Sequence, residues 1–342
     1  MKKVTAKEIA ERLGVSQATV SMSLRGRPGI SESVRSRVLE AAKEMGYSLP
    51  KSQSSMLQLV IYKKHGRVVS DSPFIELLIH GVYAKAEELG YHLSVSYFYG
   101  DKNRGEQLNS ICSVESEGIL LLATEMSDRD LEPFMKLRLP LVTLDNFSSS
   151  MERDAVVIDN LFGVRAAVQY LVKCGHTRIG YLRSNVDIRN FLERRTGYFS
   201  GCQLLSQQEA KDASRRIVRV GVTTETAAAS MREYLSSSPI LPTAFFADND
   251  HIAAGCARAL HEAGYRIPED ISIIGFDDAP ICEEITPALT TMAVPKERMG
   301  GYAVSLLTER IRHPASEIVR VAMEPRLVIR ESVLDLCPNR TN

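Results

Sequence analysis

A chain of 342 residues is longer than the roughly 100–200 residues that one domain commonly takes, and 44% hydrophobic with 25% charged residues excludes a disordered or fibrous polymer. No stretch approaches the ~18 consecutive apolar residues of a membrane span, and Lys2, Lys3, Lys7 and Glu8 place charge where a signal peptide carries its apolar run, so a cytoplasmic location without membrane contact is expected. The formal net charge is zero, but ten Lys or Arg against five Glu leave residues 1–51 at +5 and the remainder at −5. A basic head on an acidic body points to a polyanion as one partner, since clustered cations gain free energy by releasing counterions from phosphates.

The head reads as three helices. Thr5 and Glu8 have the spacing of a capping box, and Ile9, Ala10 and Leu13 follow at helical intervals. Gly14 must end that helix by turning the chain through the left-handed region, Val15 fills the corner, and Ser16 caps a second helix whose Val20 and Leu24 share a face. Small Ala10 allows a close crossing, so the set has the spacing of a helix-turn-helix. A third helix starts at Ser31, carries Val34, Val38, Leu39, Ala42 and Met45 inward, and is closed by Gly46. In a major groove the second helix would lead with Gln17 and Ala18, with Met22 one turn on, as the base-reading residues. Gln pairs with adenine, and Ala and Met offer only apolar contact such as a thymine methyl, which favours A·T pairs. Thr5, Ser16, Thr19, Ser21, Arg25, Arg27 and Tyr47 are candidates for the phosphate backbone, which sets register without specifying sequence.

The run from Thr5 to Ser21, with Gly26-Arg27-Pro28-Gly29-Ile30-Ser31 and the closing Gly46-Tyr47, resembles the DNA-binding head of the LacI/GalR family of bacterial transcriptional regulators. Met22 and Arg25 depart from that family's commonest pattern, where Arg and Asn are frequent. The resemblance implies that residues 48–56 form a hinge, but the segment is short for one and lacks the usual Ala-Arg-x-Leu. It is either a flexible tether or a short hinge with Leu49 or Met56 as an apolar wedge between base steps.

From 57 onward short apolar runs alternate with helical patterns. Strands are expected at 57–62, 91–97, 118–122 and 140–144, then at 178–182, 216–220, 243–247 and 271–275, with helices near 75–89, 160–173, 189–206, 224–236 and 250–264. Alternation of this kind gives an α/β body of two doubly wound parallel-sheet lobes, with a ligand cleft beyond the carboxyl ends of the strands. At those ends stand Phe74, Asp145, Asn190, Phe191, Arg194, Asn249, Asp250 and Asp277. Carboxylates, amides and a guanidinium beside aromatic rings suit a polyhydroxylated ring, and Asn249 or Asp250 alternatively caps the helix that follows.

An enzyme is not expected: GxGxxG, GxxxxGK[ST], GxSxG and HExxH are all missing, and Asp277 and Asp278, as neighbours on extended chain, point opposite ways. Neither a cofactor nor a metal is expected. Cys112, Cys174, Cys202, Cys256, Cys282 and Cys337 are scattered without a CxxC pair, as in a reducing compartment.

The family resemblance extends over the body through Gly175-His176-Thr177-Arg178-Ile179-Gly180-Tyr181-Leu182, Asp248-Asn249-Asp250, Pro268-Glu269-Asp270-Ile271-Ser272 and Pro287-Ala288-Leu289-Thr290-Thr291. It implies a periplasmic-binding-protein-like (type I) core in which Arg194, Asn249 or Asp250, and Asp277 contact an effector, with Phe74 and Asp145 as further contacts. The implied layout is a DNA-binding domain at 1–47, a linker at 48–56, a bilobed domain at 57–333 and a tail at 334–342. Lobe one would be 57–158 plus 288–314, and lobe two 159–287 plus 315–333. The expected function is that of a homodimeric repressor on a near-palindromic DNA operator, controlled by a small molecule, most simply a sugar. The short stretch after Glu331 leaves no heptad segment for a tetramer.

Overall fold

The computed structural model describes residues 4–24, 29–45, 47, 55–66, 68, 73–148 and 152–337. Arg25, Arg27, Gly46 and Leu49, all named above, lie outside them. The capping box starts α1 (Ala6–Leu13): the Glu8 amide donates to the Thr5 hydroxyl at 3.4 Å, and the Thr5 amide donates to the Glu8 carboxylate at 2.7 Å. Gly14 ends the helix at φ 66°, a left-handed value that glycine adopts without strain. The Thr19 amide donates to Ser16 Oγ at 3.0 Å at the start of α2 (Gln17–Leu24), and α3 (Glu32–Glu44) closes the head. Ile9, Ala10, Val20, Val38, Ala41 and Ala42 form its core. Leu39, expected there, is 43% exposed; it sits about 100° from Val38 around the helix, and Ala41 and Ala42 fill the inward face.

The first lobe is a parallel sheet of β1 (Met56–Lys63), β2 (His92–Tyr99), β3 (Gly118–Leu122), β4 (Leu141–Leu144), β5 (Asp154–Ile158) and a later strand, β11 (Arg320–Met323), in the order β11-β5-β4-β3-β1-β2. Alternation along β1 sends Leu57, Leu59 and Ile61 into one core and Val60 and Tyr62 into another. The first core lies under α4 (Pro73–Glu88) and the second under α5 (Arg104–Ser113) and α6 (Asp128–Met135).

The second lobe has β6 (Ile179–Ser184), β7 (Ile217–Val220), β8 (Ala244–Ala247), β9 (Ser272–Asp277), β10 (Thr290–Ala293) and β12 (Arg326–Val328), ordered β12-β10-β9-β8-β6-β7; all pairs are parallel except β10 with β12. Helices α7 (Asn160–Lys173) and α8 (Arg189–Cys202) cover one face, and α10 (Thr224–Ser236) and α11 (Asp250–Glu262) the other. Short helices α9 (Gln207–Asp212) and α12 (Ile281–Glu284) sit in the connections, and α13 (Lys296–Arg312) packs on α4 in the first lobe.

Three assignments need correction. Residues 288–314 are split: β10 extends the second sheet beside β9, and only α13 belongs to the first lobe. Residues 315–333 are split the other way, because β11 pairs with β5 in the first sheet before β12 returns to the second. Met56, offered as a hinge wedge, is the first residue of β1, in register with His92, and its carbonyl accepts from the Glu117 amide at 2.9 Å. Strand β5 escaped the reading because it opens on a charge, Asp154, which is buried and held by the Arg310 guanidinium at 2.7 and 3.0 Å. Beyond 333 the chain stays docked: His176 Nε2 lies 3.1 Å from the Leu334 carbonyl, and the Leu336 amide donates to the Cys174 carbonyl at 2.8 Å.

Candidate functional site

The strands of both sheets end toward each other and border a cavity of about 210 Å³. All eight side chains expected at a ligand cleft, Phe74, Asp145, Asn190, Phe191, Arg194, Asn249, Asp250 and Asp277, border it. Thr124, Thr224 and His251 join them.

Arg194 organises this cavity from α8 while only 3% exposed. Its Nε donates to Asn160 Oδ1 at 2.9 Å, Nη1 to the Asp248 carbonyl, and Nη2 to Asp277 Oδ1 at 3.2 Å. Its guanidinium lies 3.8 Å from the Phe276 ring centroid. A cation so tightly framed keeps one rotamer, and the hydrogen-bond donors it aims at Asp277 are fixed in place before any ligand arrives.

The acidic residues divide by what they already hold. Asp145 Oδ2 accepts from Thr124 Oγ1 at 2.7 Å and Oδ1 from Asn190 Nδ2 at 3.0 Å, so a first-lobe carboxylate binds a second-lobe amide across the cavity. Burial raises its pKa to about 6 against the lowering effect of those two bonds and of Arg194. Burial likewise raises Asp277, opposed first by Arg194. Asp250 is consumed internally: Oδ1 accepts from Thr291 Oγ1 at 2.5 Å and Oδ2 from the Ala279 amide at 2.8 Å. A Cβ on Gly275 would stand 2.1 Å from Asp250 Oδ1, so only glycine leaves room for this carboxylate. Burial, then the charge of Asp277, raises the Asp250 pKa to about 7. Asn249 caps α11 by accepting from the Ile252 amide at 2.8 Å, and it also borders the cavity. Asp278 is held by Arg330 at 2.9 Å, whereas Asp277 faces Arg194.

In the head, Gln17 and Ala18 are exposed at the leading end of α2, and Met22 is half-buried with its methyl beside Gly29. Thr5, Ser16 and Thr19 engage their hydroxyls in helix caps, Ser21 is half-buried, and Tyr47 packs against the head core.

Comparison with known proteins places these two sites in one family. The model of bacterial regulatory proteins of the lacI family matches residues 5–49, and that of the periplasmic binding protein-like domain matches residues 168–333. The ribose operon repressor of Escherichia coli K12 is 30% identical over 334 residues, 96% of this chain and 99% of its own length. The chain belongs to the LacI family. The repressor PurR of Proteus mirabilis is 31% identical over 97% of each LacI-family chain. Among solved structures, the regulator CelR in complex with cellobiose has a TM-score of 0.72 at 28% identity, over 96% of this chain and 100% of that one. A LacI-family regulator from Enterococcus faecium with bound ribose has a TM-score of 0.68 at 25% identity, over 82% and 99%.

Two features of this LacI-family cleft were not read from the sequence. Glu125, directly after Thr124, is fully buried and, among the described residues, accepts the main-chain amides of Lys64 at 2.8 Å, His65 at 3.1 Å, Gly66 at 3.1 Å and Val68 at 2.9 Å. Burial alone would raise its pKa, but these bonds and the His65 charge outweigh it and hold the carboxyl below the ordinary glutamate range. The second feature is the Phe147 ring, which follows β4 in the first lobe. It receives the guanidinium of Arg189, from the second lobe, at 3.9 Å and that of Arg320 at 4.8 Å. Among the described residues no group of three or more His, Cys, Asp or Glu is placed to hold a metal, and no helix is long and apolar enough to cross a membrane.

Proposed function

We propose that the chain is a homodimeric repressor whose heads read a near-palindromic operator, and that a carbohydrate bound between the lobes controls that affinity. One observation carries the effector reading: a cavity of about 210 Å³ between the lobes in which a buried, preoriented Arg194 faces Asp277 while Asp145 of the first lobe meets Asn190 of the second. Carboxylate acceptors, guanidinium and amide donors and the Phe74 and Phe191 rings match the alternating hydroxyl and C–H faces of a sugar. The name of the ribose operon repressor, and the ribose and cellobiose held by two neighbours, support the same class. Arg194, Asp277, Asp145, Asn190, Phe74 and Phe191 are the effector contacts in this reading, with Asn249 at the edge and Asp250 as the internal support of the β9–β10 junction. Gln17, Ala18 and Met22 read bases, with Thr19 and Ser21 at the phosphates. The edge strand β2 exposes Val95 and Tyr97, and α4 exposes Tyr83, an apolar face suited to a second copy of the chain.

The test is a thermal-shift screen of the full chain against pentoses, hexoses, disaccharides and nucleobases. A ligand that binds only the folded form raises Tm by several degrees at about a hundred times its Kd. A carbohydrate that raises Tm and is recovered unchanged is the expected result. Stabilisation by nucleobases alone would replace the sugar with a nucleobase, and conversion of the ligand would make the protein an enzyme.

A further inference from the structure

The residues that follow β1 are tied down by one from the turn after the neighbouring strand, β3. Glu125 gathers the amides of Lys64, His65 and Gly66 on one oxygen and that of Val68 on the other. Val68, so positioned, leaves its own lobe: it packs in an apolar cluster with Val186, Ile188, Phe191 and Val222, all from the second lobe. Val68 borders the inner 210 Å³ cavity, whereas Lys64, His65 and Glu125 border an outer cavity of about 440 Å³, and Ile188 borders both. Lys64 and His65 therefore stand at the outer space and Val68 at the inner one.

We infer that Glu125 is a positioning residue that holds Lys64, His65, Gly66 and Val68 as a strap across the cleft, and that Val68 is its latch on the second lobe. An apolar side chain shared by two lobes is out of water only while they are together, so its burial favours the closed arrangement. A carboxylate accepting several main-chain amides fixes the approach of that side chain more firmly than an exposed loop would. The inference rests on the cleft being the effector site. Its test uses no effector, so a failed ligand screen and a failed strap are told apart.

The experiment is hydrogen exchange read by mass spectrometry on the full chain, comparing wild type with Glu125→Gln and Val68→Ser. In Val68→Ser, segment 184–191 exchanges about tenfold faster while residues 64–66 keep the wild-type rate. In Glu125→Gln both segments accelerate, and the amides of β9 stay as in wild type. Unchanged rates at 184–191 in either variant overturn the latch, and unchanged rates at 64–66 in Glu125→Gln overturn the strap. Acceleration throughout β9 in Glu125→Gln marks a lost fold, and Val68→Ser, at a half-buried position, then decides alone.

Discussion

Asp145 is placed where its proton matters. Its pKa is raised to about 6 by burial, whereas an unfolded aspartate titrates near 3.9. Between about pH 4 and pH 6 the folded protein keeps a proton that the unfolded chain has released, so the stability this group contributes is present at low pH and is lost as pH rises through that window. Asp145→Asn removes the dependence. The difference in unfolding free energy between wild type and variant should fall by on the order of 2 kcal/mol from pH 4 to pH 6.5, measured by urea titration. In the head, Gln17→Ala should relax discrimination at one A·T position by about 1–3 kcal/mol, measured by competition with single-base operator variants. Asp277 was legible as a cleft residue because it ends an apolar strand run, and Arg194 because it lies in the first turns of the helix after one, at the end where α/β folds bind ligands. Glu125 was not, since a lone Glu after a strand looks like any solvated carboxylate until the amides of another strand's loop are folded onto it.

Elements were legible in proportion to how fully they are buried on a regular period. Strands β3 and β8 are apolar throughout and were placed within a residue, and α10 was placed to the residue. Strand β11 alternates exposed and half-buried residues at a sheet edge, and β5 opens on a buried ion pair, so neither carries the apolar run that marks a central strand. Membership of a lobe was harder still, because the connections between lobes are single extended segments with no pattern of their own. One element-level contact has a direct test. Phe147 joins the lobes through the Arg189 guanidinium, and Phe147→Ala should weaken effector binding about 3- to 10-fold without changing the Tm of the free protein by more than a few degrees, measured by calorimetry and thermal melting.

At the scale of the whole molecule, Asp145 with Asn190 and Phe147 with Arg189 each join residues of opposite lobes. A ligand that fits the cavity between them stabilises the closed arrangement by the difference in its affinity for closed and open forms, and that difference is the most it can transmit to the heads. Head and body were separable in the sequence by charge and by period, and the helix-turn-helix spacing pointed to DNA before any fold was known. The identity of an effector is not written in any motif, because it depends on the distances among side chains drawn from several separate strand ends.

The most direct measurement is the affinity of the full-length protein for a selected operator at fixed ionic strength, by fluorescence anisotropy, with and without a saturating amount of the carbohydrate that raises Tm. A change of roughly 5- to 150-fold is predicted, lost in Arg194→Ala while that variant still binds the operator. Equal affinity with and without the carbohydrate would contradict the coupling of cleft to head.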